Sequence, residues 1–107
     1  MDKEKAIELA KEYANIVSRH FSVKEVILYG SYASNRAHEY SDIDIAVIVS
    51  ELNGDFLDAE KKLYKLRREI DLRIEPVLII DDEDISGFKE RVLETGIKIL
   101  SFEPTAW

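Results

Sequence analysis

Residues 30–49 read GSYASNRAHEYSDIDIAVIV, and the reading of this stretch decides the fold. Three apolar residues, Val26, Ile27 and Leu28, lead into it as a buried strand, which the chain leaves at Gly30. A residue without a Cβ lets backbone come close to a bound phosphate. The turn that follows offers N–H groups and the Ser31 hydroxyl to an anion. Beyond a short polar stretch come Asp42, Ile43 and Asp44. The two aspartates alternate by two, so on a strand both project from one face, as two ligands of one divalent cation would. Residues 43–49 are apolar on both faces past Asp44 and read as a central strand.

Outward from this stretch, periodicity supplies the other elements. Ile7, Ala10, Ala14, Val17 and Phe21 recur at three- and four-residue steps, which predicts an amphipathic helix over 3–21 with Asp2 placed to cap it. Residues 23–29 form the first strand, 31–37 a short helix, and 38–41 a loop into the second strand. Asn53-Gly54 marks a turn. Phe56, Ala59, Leu63, Leu66 and Ile70 then give a second amphipathic helix. Over 72–80, Leu72, Ile74 and Leu78 alternate against Asp71, Arg73 and Glu75 as a third strand. Pro76 cannot donate to a ladder, so that strand belongs at an edge or carries a bulge. A last helix over 84–95 turns Ile85, Phe88 and Val92 inward and stops at Gly96, and 97–100 add a short strand. The pattern predicts an α/β (α+β) domain: a small mixed β-sheet of three to four strands packed by helices.

At 107 residues and 46% hydrophobic content, the chain reads as one globular domain over 1–107. The longest apolar run, 43–49 with Asp44 inside it, is too short to span a bilayer, and no N-terminal signal is read. The absence of cysteine excludes disulfides and thiolate zinc sites and fits a reducing cytoplasm. A net charge of −7 argues against binding bulk nucleic acid, whose affinity rests on basic contacts to phosphate.

The run over 30–49, including Ala33 and the Ser41 before the first aspartate, resembles the active-site segment of the nucleotidyltransferase superfamily related to DNA polymerase β. More narrowly it resembles the small prokaryotic minimal nucleotidyltransferase (MNT) domains. Ser34 and Asn35 stand where a basic residue and a glycine commonly follow the alanine; asparagine takes the left-handed conformation more readily than most residues. The resemblance implies the nucleotidyltransferase fold, ATP or another nucleoside triphosphate as substrate, and nucleotide binding by Gly30 and Ser31. It implies two Mg²⁺ ions about 3.5–4 Å apart that clamp the attacking and leaving oxygens, bridged by Asp42 and Asp44. It also implies a third carboxylate from a later strand. Glu75 fits best, because it lies within an apolar strand where a lone carboxylate is costly. Asp71, on the same face by alternation, is second. An ion pair of Glu75 with Arg73 or Arg68 is the structural alternative. The expected catalytic and metal-binding set is thus Asp42, Asp44 and Glu75.

Larger relatives carry an added helical domain for the acceptor, for which this chain has no room, so the acceptor comes from a partner or a second copy. In the resembled family, MNT domains pair with small helical HEPN toxins and transfer AMP to a tyrosine of the toxin. The resemblance therefore implies an antitoxin of the protein-adenylyltransferase type. The competing readings are a module that neutralises its partner by contact alone and a nucleotide-binding regulatory subunit. His20 and His38 lack a second ligand at metal spacing and read as surface histidines. Arg67-Arg68 reads as a solvated helix face, and Phe102 and Trp107 as an exposed tail.

Overall fold

The computed structural model describes residues 1–81 and 86–101. The elements run α1 (Lys3–Ser18), β1 (Val23–Tyr29), β2 (Ile43–Val49), α2 (Phe56–Leu66), a 3-10 turn (Arg67–Glu69), β3 (Ile74–Ile80), α3 (Phe88–Thr95) and β4 (Ile97–Ser101). The strands form one mixed sheet in the order β3-β2-β1-β4. β1 is antiparallel to both β2 and β4, while β2 and β3 are parallel. A parallel pair needs a long crossover, and α2 supplies it. β3 occupies an edge, as Pro76 requires.

Alternation along the strands creates two cores. Val26, Leu28, Ile43, Ile45, Val47, Ile74 and Leu78 face α1 and α2. Ile27, Ala46, Ile48 and Ile79 face the other way and pack with Val92 of α3. The buried stripe of α1 is Ala6, Leu9, Ala10, Tyr13, Ala14 and Val17, rather than the stripe running from Ile7 to Phe21. Its alanines let the helix lie close to the sheet. Asp2 caps α1 by accepting from the Lys5 N–H at 2.8 Å. The Tyr13 hydroxyl donates to the Leu63 carbonyl at 2.7 Å and ties α1 to α2.

Several elements differ from the sequence expectation, among them α2, which ends at Leu66 before Ile70. α1 ends at Ser18, three residues early. Residues 31–37 form no helix; they turn through Asn35 in the left-handed conformation at φ 61°, with Ser34 N–H donating to Gly30 O and Arg36 N–H to Ser31 O. The third strand begins at Ile74, because Asp71 and the residues after it make a turn that leaves Leu72 65% exposed. α3 begins at Phe88; the expected start at Asp84 and the inward Ile85 lie outside the described residues, as do Phe102 and Trp107. Gly96 does end α3, though with extended backbone. Glycine is needed there because a Cβ would meet Ile27 and the Leu28 carbonyl of β1.

Candidate active site

Strand register assembles the site. Tyr29 of β1 pairs with Asp44 of β2, and Asp44 pairs with Glu75 of β3. The three side chains therefore form one row across one end of the sheet, on the face that also carries Ile27, Ala46 and Ile79. α3 covers that face further along, so the row stays accessible. Asp42, two residues before Asp44, is exposed beside it.

Gly30 connects this row to the turn above it. Its φ of 74° lies in the left-handed region, and a Cβ built there would collide with Asp44 Oδ2. The missing side chain thus makes room for the Asp44 carboxylate. The turn is locked by Ser34, whose hydroxyl donates to Gly30 O at 3.0 Å. Arg36 Nε reaches Ser34 Oγ at 3.3 Å. Gly30, Ser31, Ser34, Arg36 and Thr95 line a hollow of about 470 Å³. Below the turn, Ser41 is buried, and its hydroxyl accepts from His38 N–H at 2.8 Å, holding the loop that delivers Asp42.

The electrostatics of the row are unbalanced. Among the described residues, no cation or hydrogen-bond donor pairs with Asp42 or Asp44. Burial, reinforced by the charges of Asp42 and Glu75, raises Asp44 above the ordinary carboxylate range. Tyr29 is pushed up to about 12, by burial first and then by Asp44; its ring packs edge-on against Phe88 at 5.6 Å. Glu75 is held from the sheet edge by α2 and the turn after it. Tyr64 Oη donates to Oε2 at 3.2 Å and Arg67 Nη1 lies 3.3 Å from Oε1.

Gly30, Ser31, Asp42, Asp44 and Glu75 are thus brought to one place. Asp71 is not. It precedes β3 and is bound by Arg73 through Nε at 2.9 Å and Nη2 at 2.7 Å, which holds its carboxyl below the usual range. The cation on Glu75 is Arg67, not Arg73 or Arg68. Arg67 is no solvated residue either, since its guanidinium lies 4.9 Å from the Tyr64 ring centroid. Sequence reasoning missed Tyr29, Arg36 and Tyr64. Arg36 carried a usable signal, as the first cation after the glycine-serine turn.

Comparison with known proteins gives this arrangement a class. Residues 10–99 match the nucleotidyltransferase domain family. The chain belongs to that family and is a minimal nucleotidyltransferase. It is 34% identical over 100 residues, 90% of this chain and 96% of the relative, to MJ0604 of Methanocaldococcus jannaschii, provisionally named a protein adenylyltransferase. A crystal structure from Sulfolobus solfataricus, assigned as a nucleotidyltransferase, shares the fold with a TM-score of 0.68 at 22% identity, covering 94% of this chain and 84% of that one. A complex of the tri-AMPylated Shewanella oneidensis HEPN toxin with MNT antitoxin shares it with a TM-score of 0.51 at 21% identity, covering 92% and 69%.

Proposed function

We propose that this chain is a Mg²⁺-dependent protein adenylyltransferase that moves AMP from ATP to a hydroxyl of a partner protein, most simply a tyrosine of a helical HEPN toxin, and so acts as an antitoxin. The observation that carries the reading is the unpaired Asp44, pressed against Gly30 and in register with Glu75. A carboxylate raised by burial and like charge, with no protein cation beside it, is poorly placed unless a ligand supplies the positive charge. The similarity to MJ0604 and the fold shared with the HEPN-bound antitoxin support the acceptor class.

The donor set suits Mg²⁺. It offers hard oxygen ligands, Asp42 in solvent and Asp44 half-buried. Among the described residues no trio of acids or histidines closes into a ready-made cage. A cation that keeps its waters and takes further ligands from substrate phosphates needs only one or two carboxylates. When bound, the metal supplies charge neutralisation on the polyphosphate and alignment of attacking and leaving oxygens. Asp42 and Asp44 would hold it, with Glu75 as third carboxylate. The N–H groups of the turn and the Ser31 hydroxyl bind the outer phosphates, and Arg36 contributes the positive charge that Ser34 lacks. Glu75 accepts the proton of the attacking hydroxyl. The whole acts as one catalytic domain in the cytoplasm, with the acceptor docked from outside.

One observation favours a second reading, an antitoxin that works by contact only: both oxygens of Glu75 are already held by Tyr64 and Arg67. Incubation with ATP labelled at the α-phosphate, Mg²⁺ and the protein encoded beside this one separates the two. Label on that protein, lost in Asp44→Asn, supports transfer. Complex formation without label supports contact alone.

A further inference from the structure

Five tyrosines occur in the chain, and their hydroxyls have different surroundings. Tyr13 donates to a core carbonyl. Tyr32 is buried, its hydroxyl lacking a hydrogen-bond partner among the described residues. Tyr40 is 83% exposed on its loop. Tyr29 flanks Asp44 within the sheet row. Tyr64 differs from all of these. It reaches round the edge strand β3 from α2 and places its hydroxyl 3.2 Å from Glu75 Oε2. Tyr64 is 41% exposed, yet its ring is held by contacts. The Arg67 guanidinium stacks on it at 4.9 Å and is itself anchored by donating to the Ile74 carbonyl at 2.9 Å. A general base must stand within hydrogen-bond reach of the proton it takes. Tyr64 therefore occupies the place beside Glu75 where an acceptor hydroxyl has to stand.

We propose that Tyr64 is an internal acceptor: with no partner docked, the chain transfers AMP from ATP to its own Tyr64 hydroxyl. This rests on the nucleotidyl-transfer reading of the site. The bond from Tyr64 Oη to the α-phosphorus forms, and the bond from that phosphorus to the oxygen bridging to the β-phosphorus breaks. Pyrophosphate leaves with the electron pair. The phenolic proton passes to Glu75 Oε2 and from there to solvent. ATP is the only co-reactant, and the product is a phosphodiester between tyrosine and the ribose 5′ oxygen. The geometry is intramolecular, so the acceptor stands at high effective concentration. A chain modified in this way has its acceptor place filled and its Glu75 contact broken, so it no longer serves an external acceptor.

The test is intact-mass and peptide mass spectrometry of the full chain after incubation with ATP and Mg²⁺, with no other protein present. The expected result is a gain of one AMP per chain, mapped to Tyr64, absent in Asp44→Asn and lost in Tyr64→Phe, which keeps the ring and its stacking. Tyr64→Phe should also raise labelling of the protein encoded beside it, because a competing acceptor is gone. If wild type labels that protein but carries no AMP on Tyr64, the proposal is overturned while transfer itself stands. If neither chain is labelled, the transfer reading falls with it. Reduced external labelling in Tyr64→Phe, with no self-modification of wild type, makes Tyr64 a positioning residue for Glu75 and also overturns the proposal. Labelling of the Asp44→Asn chain by wild type would overturn the intramolecular geometry.

Discussion

The two ends of the sheet treat carboxylates in opposite ways. Just past the C-terminal end of β3, Asp81 lies between two lysines, Lys24 Nζ at 2.6 Å and Lys89 Nζ at 2.5 Å. At the other end Asp42 and Asp44 have no cation among the described residues, and Asp44 is half-buried with Glu75 beside it. Lysine holds Asp81 well below the ordinary carboxylate range, Lys24 first and then Lys89, whereas burial raises Asp44. One end is internally neutralised and serves the fold. The other is left with negative charge that no protein cation balances at Asp42 or Asp44 among the described residues. The contrast separates acids that the fold neutralises from acids that it leaves uncompensated within one small sheet.

The sharpest way to break this comparison is Asp44→Asn. On the proposed function, losing a metal ligand removes several kcal/mol of transition-state stabilisation, which at 1.36 kcal/mol per decade is about a thousandfold in transfer rate. The same variant should melt higher than wild type without metal, since it deletes a repelling charge. A lower melting point for Asp44→Asn would place Asp44 with the structural acids. Next in size is Glu75→Gln, expected to slow transfer by about 10²–10⁴-fold while calorimetric affinity for a non-hydrolysable triphosphate stays close to wild type. Loss of affinity equal to the loss of rate would assign Glu75 to ground-state binding. Arg36→Ala should weaken that affinity by about tenfold, on the order of the 1.5–3 kcal/mol of a charged hydrogen bond reduced by solvent exposure. An unchanged titration would mean the phosphates lie elsewhere.

The smallest effect belongs to the lysine-bound end. Asp81→Asn should cost about 1 kcal/mol at neutral pH by denaturant titration, as partly exposed pairs do. The two ends also predict opposite pH limbs. Asp44, raised in the folded chain, binds its proton before the unfolded chain does, so its unfavourable contribution disappears as pH falls through its folded value. Asp81, depressed, contributes stability present above the unfolded value and lost as pH falls through its lower folded value. Stability without metal should therefore rise on mild acidification and fall on stronger acidification. Asp44→Asn should lack the rise, and Asp81→Asn should lessen the fall. A profile that declines monotonically from neutral pH would refute the opposition.

Much of the candidate site was legible because it is local. Gly30, Ser31, Asp42 and Asp44 lie on one turn and the strand that follows, so spacing alone brings them together. Glu75 needed one more step, the parallel register of β2 and β3; on the sequence its place within an apolar run was what favoured it. Asp71 failed because a turn, held by its own bond to Arg73, replaces the strand that alternation assumed. Tyr64 and Arg67 could not be read as parts of the site. They arrive from α2 and the turn after it across the sheet edge, and on the sequence they are ordinary positions of an amphipathic helix. The expected helix over 31–37 failed for a local reason, since left-handed Asn35 breaks the helical run.

The contact between Gly30 and Asp44 also constrains how this site can be lost. A Gly30→Ala change meets two obstacles, a left-handed backbone that costs a non-glycine residue about 1–2 kcal/mol and the Asp44 carboxylate already in the Cβ position. If Asp44 goes first, the second obstacle vanishes and position 30 is free to vary among residues that tolerate positive φ. Decay therefore has a preferred order, aspartate before glycine. In a lineage drifting toward a purely binding role, the glycine would outlast the acid it once made room for, and its later replacement would mark a site already silent.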